Sequence, residues 1–221
     1  MQLRFWMQGI HEPEITNLIK RIIKPDMKVA DIGAAFGYHT LLLSKYAREV
    51  YAFEPEYGMF RTLTRNIELN KARNIVPLNL IIGDKFGFVD FYAILHGGTS
   101  SIFEDKNRTD AMKRPMLMVT LDDLAQDFDF IKIDAEGAEL AILQGAPRTI
   151  KKPFKMTLEL SHRWFRSRGE DPQDFLDGLK SFGIAYYALN QDGTPEKMSD
   201  ADLIELARKR AHINLYAETQ P

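Results

Sequence analysis

The sequence predicts an α/β protein with a mostly parallel sheet, and three observations predict it. Short apolar runs alternate with segments of helical period from residue 28 to residue 82. That is the pattern of strands joined by right-handed crossover helices. The first run, Val29, Ala30 and Ile32, passes through a turn bracketed by Gly33 and Gly37 into a helix. Acids recur at or beside the C-terminal ends of successive runs, at Asp31, Glu54, Asp84, Asp134 and Glu159. In an open α/β sheet that edge is where ligands bind.

The elements follow in order. Residues 1–11 carry Phe5 and Trp6 without a period and read as an arm. Pro13 starts a helix with Ile15, Leu18, Ile19, Ile22 and Ile23 on one face, stopped by Pro25 and Asp26. The first strand and its Gly turn lead to a helix over 38–47. A strand over 49–54 ends at Pro55, a helix fits 57–70, and 75–82 is the third strand, closed by Gly83 and Asp84. Residues 86–95 are extended. Residues 96–115, mixed in charge, read as a lid-like loop. A short strand over 116–120 and a short helix over 121–125 precede the strand 128–134. The helix after it ends at Gly145. Then come a strand over 156–160, a helix from Asp171 and Pro172 to Phe182, a strand over 184–189, a helix capped by Ser199, and a last strand over 213–217. Without a repeat or linker, the 221 residues read as one domain, with 1–27 as arm and helix and 28–221 as its core.

Composition narrows the function classes. The chain is 45% hydrophobic and 27% charged, as globular proteins are. Its 29 basic and 31 acidic residues leave a net charge of −2, which gives no electrostatic case for a nucleic-acid or membrane partner. With no cysteine there is no thiol nucleophile and no thiolate metal site. No leader or spanning segment is read, so a cytoplasmic enzyme is expected. Nothing in the chain signals oligomeric state.

The Gly turn has a definite chemistry. Gly33 lets the backbone turn sharply and a ligand approach, and Gly37 lets the helix start sit close to that ligand or to the strand. The helix start favours an anionic group, while Asp31 favours a cation, so the pair suits a ligand carrying both charges. A dinucleotide fingerprint would read G-x-G-x-x-G. Here Ala35 stands where its second Gly would fall, which argues against a nicotinamide-dependent oxidoreductase. Glu54, 23 residues after Asp31, is placed to accept ribose hydroxyls. Asp84 is placed to accept from an adenine amino group, or simply to serve the turn.

Four segments carry a family resemblance: 31–38 (DIGAAFGY), 52–55 (AFEP), 66–70 (NIELN), and TLDDL at 120–124 with IKIDAEGAE at 131–139 and LQGA at 143–146. The chain resembles class I S-adenosylmethionine-dependent methyltransferases, and more closely the FkbM family, over roughly 28–162. The resemblance implies a Rossmann-like fold whose seven-stranded, mostly parallel sheet runs in the order 3-2-1-4-5-7-6, with helices on both faces and the last strand antiparallel. It implies S-adenosylmethionine as cofactor, with Asp31, Gly33, Ala34, Gly37, Tyr38, Glu54, Pro55 and Asp84 binding it. It also implies O-methylation of a hydroxyl on a sugar, glycan or small natural product.

Methyl transfer to a hydroxyl needs a base, or a metal that acidifies the acceptor. Glu136 and His162 are the candidate bases, with Asp134 beside them. Asp134, Glu159 and His162 form an alternative divalent-metal set through oxygen and nitrogen ligands. The full set of the metal-dependent catechol-type enzymes is absent, so the metal is not favoured. The basic, aromatic stretch from Arg163 to Arg168 is a candidate handle for an anionic substrate. His39 and Thr40 lie where they could touch the cofactor. Lys132, read as facing away from Asp134, is given no role. Besides the oxidoreductase, the remaining alternative is an adenosyl-ligand-binding protein without catalysis.

Overall fold

The structure is a computed structural model that describes residues 11–94, 100–104, 110–151 and 153–219. Residues 1–10 of the expected N-terminal arm and part of the 96–115 lid lie outside the described residues. In chain order the elements are α1 (Pro13–Ile22), β1 (Lys28–Ile32), α2 (Tyr38–Ser44), β2 (Glu49–Phe53), α3 (Tyr57–Leu69), β3 (Ile75–Leu78), β4 (Ile81–Ile82), β5 (Gly87–Ile94) and β6 (Ala111–Val119). There follow β7 (Phe130–Ile133), α4 (Glu139–Gln144), β8 (Lys155–Ser161), α5 (His162–Arg168), α6 (Pro172–Ser181), β9 (Ile184–Leu189), β10 (Pro195–Glu196), α7 (Asp200–Arg210) and β11 (His212–Thr219).

The main sheet has eight strands in the order β10-β9-β11-β8-β7-β1-β2-β3. Seven of them reproduce the expected 3-2-1-4-5-7-6 order. The eighth, β10, is a two-residue addition at the edge, hydrogen-bonded antiparallel to β9. β11 runs antiparallel to both β8 and β9, while β1 is parallel to β2 and β7.

A second sheet, β4-β6-β5, was not expected. The run expected as one strand over 75–82 breaks at Asn79, whose side-chain amide donates to the carbonyls of Glu54 (2.8 Å) and Pro55 (3.0 Å). That bond turns the chain out of the main sheet, and β4 pairs with Met118 and Val119 instead. The 96–115 stretch is also corrected, because β6 begins at Ala111. Arg114 and Pro115 pair antiparallel with Phe91 and Asp90. β4 does not reach Pro115, so β6 has a partner on one side only there, where a missing N–H is tolerated.

Alternation along β1 and β7 divides the core into two faces. Ala30, Ile32, Ile131 and Ile133 pack with Ile142 of α4, Leu176 of α6 and Leu203 of α7. Val29 and Phe130 pack on the other face with Ile15 and Ile19 of α1 and Leu43 of α2. Asp31 and Lys132 share the parity of Val29 and Phe130, so they lie under α1 and α2. Glu56, Asp171 and Ser199 cap α3, α6 and α7, each side chain accepting a backbone N–H of the first turn.

Candidate active site

Asp31 and Lys132 are cross-strand neighbours in register. The Lys132 ammonium lies 3.7 Å from the Asp31 carboxylate and 3.2 Å from that of Asp134. The side chains of Asp31 and Lys132 are 1% and 4% exposed, whereas that of Asp134 is 29% exposed. The other Asp31 oxygen accepts from the Thr40 hydroxyl at 2.6 Å. This corrects two expectations. The cation beside Asp31 is the chain's own Lys132, so Asp31 does not face open space. Lys132 does not point away from Asp134 either, because residues two apart in a strand share a face.

The next row of side chains on this face holds the exposed end of the network. Asp134 is one residue beyond the paired Ile133 and Leu158, opposite Glu159, and the two carboxyls hydrogen-bond. Burial raises the Glu159 carboxyl well above its ordinary value, helped by Asp134, Glu136 and Glu139. Burial pushes Asp134 the same way, but the Lys132 charge, the hydrogen bonds from Glu159 and Lys132, and His212 together outweigh it and hold Asp134 below its ordinary value. Burial works against the Lys132 charge, and the charges of Asp134, Asp31 and Glu12 overcome it, raising its pKa. Burial raises Asp31, only partly offset by Lys132 and Thr40.

The loop between β7 and α4 carries the other acids. Glu136 sits at φ 53, and the Trp164 indole of α5 donates to its Oε2 at 2.5 Å. Burial, then the charge of Asp134, pushes Glu136 up to about 8. Glu139 is buried, and its Oε1 accepts the N–H groups of Ala135 (3.1 Å) and Gly137 (3.2 Å). It holds the loop that presents Glu136, while burial raises its own carboxyl to about 7. Arg168 lies against Gly137 and over the Phe103 ring at 4.4 Å.

The Gly turn is packed by the protein itself. A Cβ on Gly33 would stand 1.8 Å from the Asp134 carbonyl oxygen, and one on Gly37 would stand 2.5 Å from Leu63. The close approaches expected toward a ligand are made to β7's loop and to α3. The Gly33 and Ala34 N–H groups donate to Phe53 O at 2.9 and 3.0 Å. Ala35 takes φ 48, so the missing second Gly did not spare the turn its left-handed residue. Glu54, 6% exposed, accepts from Ala35 N through Oε2 and Glu56 N through Oε1, both at 2.8 Å. Burial raises it to about 7, against those two bonds.

The other expected residues are placed as follows. Pro55 lends its carbonyl to Asn79. Tyr38 meets the His11 ring edge-on and His39 stacks on it, at ring separations of 5.5 Å each, and His39 lies 3.6 Å from Glu12. Asp84 is exposed, on the rim of a cavity of about 350 Å³ lined by Ile102, Phe103, Met118 and Ala141. His162 is the first residue of α5 and half-buried. Among the described residues no three His, Asp or Glu side chains are grouped to hold a metal ion. Asp134, Glu159 and His162 are therefore not brought together as a ligand set. The Arg163–Arg168 stretch is helical, with Arg168 engaged by Glu170 at 2.6 Å and Trp164 by Glu136. Sequence reasoning missed Lys132, whose i, i+2 spacing gave the signal. It also missed Asn214, for which there was none: its amide donates to Glu12 (3.1 Å) and Glu14 (3.0 Å).

A sheet of this order with acids along its C-terminal edge is the class I methyltransferase fold. The Methyltransferase FkbM domain pattern matches residues 31–186, and the chain belongs to the FkbM methyltransferase family. It is 24% identical to the hexuronic acid methyltransferase AglP of Haloferax volcanii over 170 residues, 74% of this chain and 65% of that protein. The FkbM methyltransferase structure from Methylobacillus flagellatus superposes with a TM-score of 0.56 at 20% identity, over 88% of this chain and 44% of that one. A Streptococcus mutans structure described as a methyltransferase in complex with SAH gives 0.56 at 8% identity, over 96% and 99%. The chain thus spans less than two thirds of the first two of these relatives. The family match sets aside the nicotinamide-dependent oxidoreductase. No helix among the described residues is long and apolar enough to cross a membrane.

The residues present fit a cationic cofactor. Four carboxyls, Glu54, Glu136, Glu139 and Glu159, are held above their ordinary values, and among the described residues the lysine buried at this edge is Lys132. A permanent positive charge placed there relieves that excess.

Proposed function

We propose that the protein is an S-adenosylmethionine-dependent O-methyltransferase that methylates a hydroxyl of a sugar, glycan or small natural product. The observation that carries this reading is the acid-rich edge organised around one buried lysine, a setting suited to a sulfonium. Family membership supports it, and the name of the Haloferax relative supports a sugar acceptor. Bound there, S-adenosylmethionine supplies an electrophilic methyl group.

The chain's own residues then have these parts. Glu54 accepts the ribose hydroxyls, since each carboxylate oxygen has room for a second bond beside the Glu56 and Ala35 amides. Asp84 accepts from the adenine amino group, with the ring in the cavity against Phe103. Gly33, Ala34, Gly37 and Tyr38 shape the turn beside the methionine part. Asp31 acts through Lys132, which keeps Asp134 ionised toward the positive charge. Glu136 takes the acceptor's proton at Oε1, the oxygen that Trp164 leaves free. A carboxyl near 8 matches the pKa a general base needs close to neutral pH. His162 is the second candidate, half-buried at the mouth of β8.

Labelled methyl transfer to a panel of hydroxylated sugars tests the reading. The ratio kcat/KM, which reports the free enzyme, is expected to rise with pH through about 8 as Glu136 ionises. Glu136→Gln should lower kcat by ~10²–10⁴-fold with cofactor affinity kept. A Glu136→Gln protein with full turnover removes Glu136 as the base.

A further inference from the structure

A second cavity, of about 280 Å³, lies at the same sheet edge between α1, β9, α7 and β11. Its wall carries Glu14, Gln191, Arg210, His212 and Asn214 beside the apolar Leu206. Mixed polar donors and acceptors around an apolar patch suit a hydroxylated ring, which has both kinds of surface.

The cavity continues the row of side chains described above. Asn214 is the register partner of Glu159, and Glu159 hydrogen-bonds Asp134. Asn214 spends both amide hydrogens on Glu12 and Glu14, which leaves its Oδ1 to accept from a hydroxyl. At the other end of α7's last turn, Arg208 and Lys209 pair with Glu205. Arg210 has no ion pair among the described residues, and it lines the cavity beside His212. Arg210 is exposed at the cavity's mouth, where an unpaired guanidinium is a fork for a carboxylate.

We propose that this cavity is the acceptor subsite and that it takes a hydroxylated ring bearing a carboxylate, of the uronate kind. The proposal rests on the methyltransferase reading above. Arg210 holds the carboxylate, and Gln191, Asn214 and Glu14 take ring hydroxyls. Glu14 also repels the carboxylate, which fixes its orientation toward Arg210. A hydroxyl at the Asn214 end then lies on the side of Glu159 and Asp134.

The test is calorimetric titration of the full chain with glucuronate and with glucose, each with and without S-adenosylhomocysteine. Glucuronate is expected to bind about tenfold tighter than glucose, the scale of one charge-assisted contact. Arg210→Gln should abolish the preference, and Arg208→Gln should retain it. Should Arg210→Gln fold poorly by thermal melt, Gln191→Ala takes its place and should weaken both sugars together. Equal binding of the two sugars, or a preference that survives Arg210→Gln, overturns the proposal. Binding of S-adenosylhomocysteine without a uronate preference overturns the subsite and leaves the methyltransferase reading standing. A uronate preference without S-adenosylhomocysteine binding supports the cavity and overturns that reading.

Discussion

Gly33 is where residue chemistry decides the architecture of the edge. Its φ of +78 belongs to the left-handed region, and its missing side chain is the space the Asp134 carbonyl occupies. Gly33→Ala therefore combines a left-handed alanine with a clash against backbone that cannot swing aside. A loss of about 3 kcal/mol or more is expected, checked by urea unfolding; a loss under 1 kcal/mol would show that β1 and β7 separate easily. The glycine was legible in the sequence as a conformational necessity. What it makes room for was not, because a close approach between two strands 100 residues apart leaves no local trace. Glu54 is a similar case: its place after β2 was readable, and its bond to Ala35 was not.

At the scale of elements, Lys132 links two strands and a loop. It is the buried counter-charge for both Asp31 and Asp134. Lys132→Met removes the cation and leaves two acids behind, which should cost about 3–5 kcal/mol. Lys132→Met with Asp31→Asn should recover part of that loss, and denaturation of the four proteins of the cycle measures the coupling; no recovery would show that the pair is not coupled. The alternation of strand and helix was legible because each element buries a periodic apolar face. The second sheet was not, since β4 is two residues long and its departure depends on the Asn79 side chain. β6 was hidden by its exposed, charged first half, which reads as a loop until β5 is seen beside it.

For the whole molecule, the raised carboxyls make stability depend on pH. Between about pH 4.5 and their folded pKa values, Glu54, Glu139 and Glu136 hold more protons folded than unfolded. Stability therefore falls as pH rises through that window. Burial lowers His39 and His11, which destabilises the fold as pH drops below 6.5, so the clean comparison starts above that. From pH 6.5 to 8.5 the unliganded protein should lose roughly 2–3 kcal/mol, several degrees in Tm; a flat melting profile contradicts the burial of these acids. The order of the main sheet was legible through resemblance and the acids along its edge through their strand-end positions, while Lys132 at their centre emerged only when β1 and β7 were set side by side. The account's central claim is that this edge holds an adenosyl sulfonium. Calorimetric titration with S-adenosylmethionine, S-adenosylhomocysteine and NADH tests it most directly. The adenosyl ligands should bind tighter than NADH, with Glu54→Ala weakening them by ~1–3 kcal/mol. Tighter binding of NADH, or an unchanged affinity in a folded Glu54→Ala protein, would contradict it.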